Sequence, residues 1–171
     1  MKKPSFLSKL KKEGKLDLIE PTENRSNSYM IKSSNCIKAA KLLQQASLFE
    51  NAISEAYYAM YNITLSLFFK AGIKSENHTA TIIMLRKAFG LTEFSGILRK
   101  AKTERVDKQY YVIENAKQAT EQETKQMILE AEEYCLLVKD QINKLSYDEI
   151  ENARKRFVSL TKERQNLNKN T

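Results

Sequence analysis

Apolar residues along this chain return at intervals of three and four, the period of a helix with one buried face, and nowhere alternate singly as a half-buried strand would. From about Tyr29 the spacing of Ile37, Ala40, Leu42 and Leu43 predicts a first long helix over 29–46. Further helices are predicted over 48–71, 78–89, 93–110 and 120–145, with an extension over 147–166. The stretch 120–145 has the cleanest stripe, formed by Met127, Ala131, Tyr134, Cys135, Val138, Ile142 and Leu145, as expected of a helix on the outside of a bundle. The stretch 48–71 is apolar nearly all round, so it belongs at the centre or beneath a second copy of the chain. That apolar excess predicts a homodimer.

The ends of the periodic stretches carry their own chemistry. Ser47 with Glu50, Thr120 with Glu123 and Ser146 with Glu149 have the spacing of a capping box, in which hydroxyl and carboxylate satisfy amides that a helix start leaves open. Gly72 and Gly90 stand where a left-handed residue closes a helix. The first fifteen residues predict a short amphipathic helix on Phe6, Leu7 and Leu10, stopped by Gly14; "EPTENRSNS", with Pro21, reads as a linker. Short connections make neighbours antiparallel. The expected fold is all-α: an up-and-down bundle of about five helices over 28–146, preceded by a basic segment and linker over 1–27 and followed by a basic helical extension over 147–171.

Composition narrows the function classes. At 171 residues, with four glycines and two prolines, the chain is sized for one helical domain with tails. The richest apolar run, Ile63–Phe69, is far too short to span a bilayer, and the lysine-rich start lacks the apolar core of a secretory signal, so no membrane role and a cytoplasmic location are expected. Cys36 and Cys135 read as small core hydrophobes. With His78 as the sole histidine, a zinc site lacks ligands, and no cofactor is expected. Residues 1–15 hold six lysines and one glutamate, and residues 151–171 hold six Lys/Arg and two glutamates. The two ends thus account for the whole net charge of +8 and leave the middle near neutrality; such ends either solubilise or contact phosphate without reading sequence.

The most specific run is Ala56-Tyr57-Tyr58-Ala59-Met60-Tyr61, followed by Gly72, a short polar loop and His78-Thr79-Ala80, then "RVDKQYY" from Arg105. In order and spacing this resembles the small HEPN-domain proteins of archaea and bacteria, over roughly residues 29–145. The resemblance implies a helical bundle that tends to dimerise and a nucleotide or RNA function. Many such proteins are ribonucleases that use an arginine and a histidine four to six positions on; others are non-catalytic, and several pair with a minimal nucleotidyltransferase as toxin and antitoxin. Arg105 stands at the arginine's place, but Val106 follows it, and Tyr110, Tyr111 and Val112 fill the histidine window.

Metal-free RNA cleavage needs a group that takes a proton from the 2′-hydroxyl and one that stabilises charge on the phosphorane. A guanidinium does the second; an imidazole titrating near neutrality does the first. Arg105, with Asp107 and Tyr110, is the candidate catalytic set. On one straight helix Arg105 and Tyr110 point about 140° apart, so they converge only across a helix break or a dimer axis. Glu55, Tyr58 and Asn62 share a face of the 48–71 helix and are expected to line a polar groove beside Arg105. Tyr57 and Tyr61 are expected in the core or a dimer interface. His78, behind a capping Asn77, is expected to pack and hydrogen-bond at the edge of a nucleotide or RNA site. These residues describe a module that anchors phosphate with no imidazole beside the guanidinium. The preferred reading is a non-catalytic or weakly active interaction and nucleotide-binding module partnered by a minimal nucleotidyltransferase. The alternatives are a metal-independent endoribonuclease using Arg105, and a nucleic-acid binder acting through its tails.

Overall fold

A computed structural model of the chain describes residues 5–110 and 119–162. Among them are seven helices, α1 (Phe6–Lys12), α2 (Glu23–Gln45), α3 (Phe49–Lys70), α4 (His78–Lys87), α5 (Thr92–Tyr110), α6 (Glu121–Lys144) and α7 (Tyr147–Thr161). Two three-residue strands, β1 (Leu16–Leu18) and β2 (Ile73–Ser75), pair antiparallel with Leu16 opposite Ser75. The fold is all-α, a helical bundle. The strands escape periodicity because each is too short to alternate, and Leu16 and Ile73 are wholly buried in them.

α3 is the central helix, packed against α2, α5 and α6. Ala56, Tyr57, Ala59, Met60 and Phe68 are fully buried along it. Its apolar girth is therefore covered within one chain. Large apolar side chains left exposed include Ile31 and Leu42 on α2, Leu129 and Leu136 on α6, and Tyr147 at the start of α7.

α2 starts six residues before the expected 29, inside the supposed linker. Thr22 caps it by accepting from the Arg25 amide, and its buried residues, Ser26, Ser33 and Ala40, recur every seventh position. Those small residues let α2 lie close on α3: the Ser66 hydroxyl donates to the Ser26 carbonyl at 2.8 Å, and the Ser33 hydroxyl to the Ala59 carbonyl at 2.8 Å. A serine whose donor is satisfied this way belongs to the interior, although hydropathy counts it as surface. α6 buries Met127, Ala131, Tyr134, Val138 and Ile142 as expected, and the Tyr134 hydroxyl pairs with Thr64 of α3 at 2.8 Å.

The two ends do not stand apart from the bundle. Leu7 and Leu10 of α1, Leu16 of β1, and Ala153 and Phe157 of α7 join the same hydrophobic core as α3. The boundaries expected near 27 and 146 fall inside this packing. α7 ends at Thr161 rather than 166, and residues 163–171 lie outside the described residues.

The capping boxes at Thr120 and Ser146 form with both reciprocal hydrogen bonds. Ser47 does not cap. It has φ +59°, its amide donates to the Gln44 carbonyl, and the Leu48 amide donates to Leu43, the paired bonds that close α2 in a Schellman turn. A left-handed serine carries a steric cost that glycine avoids. Ser47→Gly is expected to stabilise the chain by about 1 kcal/mol, seen as a higher urea midpoint at an unchanged slope.

Candidate functional site

Midway along α3, Tyr57, Tyr58 and Tyr61 fall within little more than one turn and present an aromatic surface toward α4 and α5. Seven residues after α3 ends, β2 has run back along it, and α4 opens at His78 beside the same tyrosines. Asn77 caps this start by accepting from the Ala80 amide at 3.0 Å. The imidazole stacks on the Tyr61 ring with centroids 4.0 Å apart and 7° between planes, and its Nδ1 is 2.5 Å from the Tyr57 hydroxyl. Burial holds the Tyr57 phenol well above its ordinary range, so it stays protonated and is a donor toward Nδ1. Nε2 has no hydrogen-bond partner among the described residues.

Arg105 arrives from α5 on the same surface. Its guanidinium carbon lies 4.8 Å from the Tyr58 ring centroid and 5.5 Å from that of Tyr57. Its Nε is buried without an acceptor among the described residues. No carboxylate pairs with it there; Glu104 and Glu123 are engaged by Lys100 and Lys108. One turn earlier, Lys102 donates to the Thr79 hydroxyl at 2.9 Å, bridging α5 to the first turn of α4. Burial, then Arg105, then Lys102 hold the His78 pKa below its usual value, which favours neutral imidazole at pH 7. Beside this cluster a groove of about 450 Å³ runs between α4 and α5, lined by Thr79, Ile82, Ile83, Arg99, Lys102, Thr103 and Val106, with no acidic residue.

The expectation that no imidazole accompanies the guanidinium is thus corrected. His78 and Arg105 sit on different helices, share Tyr57 and Tyr58 as neighbours, and influence each other electrostatically. Of the polar face expected beside Arg105, only Tyr58 is there. Asn62 turns to α2 and donates to the Cys36 sulfur at 3.6 Å, and Glu55 acts electrostatically on the same thiol. Burial and then Glu55 push the Cys36 thiol up to about 12, and burial pushes Cys135 up to about 11, so neither is a nucleophile. Asp107 is exposed and apart from the cluster. The Tyr110 side chain, with Tyr111 and Val112, lies outside the described residues.

Lys102 and Thr79 escaped the sequence reading. Lys102 was within reach of it, since a lysine three positions before Arg105 shares its helix face. Ser54 is 5% exposed with its hydroxyl unpaired, one turn before Tyr57 and Tyr58 on α3, and carries no signal in sequence.

No protein-family model matches the chain, and no curated protein matches it in sequence. No helix among the described residues is long and apolar enough to cross a membrane, and no cluster of three or more His, Cys, Asp or Glu among them is arranged to hold a metal ion.

Proposed function

We propose that the chain is a HEPN-like module that anchors the phosphate of RNA or a nucleotide on Arg105, with Lys102 beside it, and does so without cleaving the ligand. One observation carries this reading: Arg105 rests on two aromatic rings and pairs with no carboxylate among the described residues. A guanidinium paired with an acid has its charge answered inside the protein. One resting on ring faces gains about 1 kcal/mol from each and keeps its donors for an external anion. The buried Nε without an acceptor fits the same reading, because a desolvated donor gains most from an incoming oxygen.

The endoribonuclease reading draws support from His78, which supplies the imidazole missing from α5. The surroundings of that imidazole favour binding instead. A general base must carry a proton after accepting it, and in the free site burial together with two cations disfavours imidazolium. No carboxylate among the described residues backs its Nδ1; the partner there is a neutral phenol, and the orienting acid of base-catalysed sites has no counterpart.

Titration of a short single-stranded RNA by fluorescence anisotropy is expected to give saturable, salt-sensitive binding. Arg105→Ala is expected to weaken it about tenfold to a hundredfold, as loss of charge-assisted hydrogen bonds requires. Binding unchanged in Arg105→Ala rejects the anchor. RNA cleavage in EDTA that disappears in both Arg105→Ala and His78→Ala establishes the ribonuclease in its place. The two-component arrangement adds a further expectation, co-purification with a minimal nucleotidyltransferase.

A further inference from the structure

We infer that anion binding at this site is coupled to proton uptake by His78, so that the imidazole acts as a third, charge-dependent ligand whose affinity for phosphate is set by pH. The inference rests on the Arg105 reading above. The geometry carries it. Nδ1 is committed to the Tyr57 hydroxyl and the ring is fixed on Tyr61, leaving Nε2 as the edge without a partner among the described residues. The groups facing the imidazole are Tyr57, Tyr58 and Tyr61 from α3 and Lys102 and Arg105 from α5. Three are phenols and two are cations; no carboxylate among the described residues acts on it. Glu76, two residues upstream, is engaged with Lys74 at 2.8 Å.

In this setting the free site favours neutral imidazole, in the direction that burial and the two cations require. An anion seated against Arg105 and Lys102 reverses the sign of the local field. It offsets both cations and accepts from the Nε2–H that the neutral ring already carries, a bond that positive charge on the ring strengthens. A proton from solvent then moves onto Nδ1: the Tyr57 O–H rotates its proton away, Nδ1–H becomes the donor to the Tyr57 oxygen, and Nε2–H, present throughout, donates to the ligand. The coupling is reciprocal, so the anion raises the His78 pKa and low pH strengthens the anion's binding by the same factor.

The test uses the full chain and a 5′-hydroxyl oligouridine, whose phosphodiesters keep a constant charge across the range and whose bases do not protonate there. His78 is the only histidine, so its imidazole proton resonance is read by NMR without assignment. Expected is a His78 midpoint that rises by about one pH unit when oligouridine saturates the site, with affinity several-fold tighter at pH 5.5 than at pH 8 and approaching a limit of about tenfold at lower pH. In His78→Gln, whose amide can still pair with the Tyr57 hydroxyl, that pH dependence is expected to flatten. Binding by the wild type with an unmoved His78 midpoint and constant affinity overturns the coupling and leaves the Arg105 anchor intact. Absence of binding at every pH, or equal binding by Arg105→Ala, overturns both. The NMR titration needs no variant, so a folding defect in His78→Gln does not blunt the test.

Discussion

Phe157→Ala is expected to lower the stability of the chain by about 3–5 kcal/mol, and removal of residues 147–171 to leave it without a cooperative unfolding transition near room temperature. Phe157 is fully buried on α7 and belongs to the core that α3 organises. Emptying its site removes the transfer energy of a benzyl group and leaves a cavity its neighbours fill only in part. Truncation also removes Arg154, whose Nη1 donates to the carbonyls of Ile19, Ala71 and Gly72 at 2.8, 3.2 and 2.9 Å. Those carbonyls close α3 and the end of β1; the Gly72 carbonyl also accepts from the Ile19 amide at 2.9 Å, so the guanidinium reinforces a junction where α3 and the strand pair both run out. Urea denaturation of Phe157→Ala followed by circular dichroism gives the number. A truncated chain that melts like the full one would return α7 to the status of an appendage.

The same geometry bears on the basic ends. Arg154 is committed to backbone, Arg156 Nη1 donates to the Ala88 carbonyl at 3.1 Å, and Lys11 lies over the Phe157 ring at 5.7 Å. Three of the twelve lysines and arginines counted at the termini, Lys11, Arg154 and Arg156, therefore hold the fold together and are poorly placed to follow a nucleic-acid backbone. For the tail-binder reading, trimming the C-terminal segment unfolds the protein before it tests affinity, so charge-neutral substitutions at exposed positions such as Lys155 are the sounder probe.

What the chain's letters disclosed follows from the range of the physics behind them. Helix periodicity, the Thr120 and Ser146 boxes and the left-handed glycines depend on neighbours within five residues, and these were legible. Ser47 shows the limit of local reading. Its S-x-x-E spacing matches a box, yet α2 ends there and the Schellman turn claims its backbone first. Ser26 and Ser33 misled for another reason: hydropathy treats a hydroxyl as wet, whereas here each is buried at the α2–α3 seam, and the Ser33 hydroxyl donates to a carbonyl across it. The candidate site was half legible. Arg105 and Tyr58 were identified, but their meeting with His78 depends on how far β2 carries the chain back along α3 before α4 begins. That distance is tertiary, and no spacing rule along one helix contains it.

Gly72→Ala is the second substitution expected to act severely, at about 3 kcal/mol or more, and it tests the hinge that creates this meeting. Gly72 has φ +69°, which alone costs an L-residue about 1–2 kcal/mol. A Cβ there would stand 2.5 Å from the Ile19 carbonyl oxygen, 2.9 Å from the Pro21 nitrogen and 2.3 Å from Arg154 Nη1. The first two are backbone atoms that cannot rotate aside, so β1 must shift and the Arg154 clamp must loosen; overpacking of this kind adds about 1–3 kcal/mol. Gly90→Ala separates the two effects. Gly90 also has a positive φ, of +77°, but its nearest neighbour to an added Cβ is Arg156 Nη1 at 3.8 Å, so only the conformational cost of about 1–2 kcal/mol applies. Because β2 carries the chain from Gly72 to His78, a displaced hinge moves the imidazole as well as the melting temperature. In Gly72→Ala under conditions where it remains folded, the His78 NMR midpoint is expected to move back toward that of a free histidine, while in Gly90→Ala it holds its place. Equal destabilisation by the two alanines would mean that the crowding around Gly72 is relieved without cost, and that the path from α3 to α4 is set by residues other than this glycine.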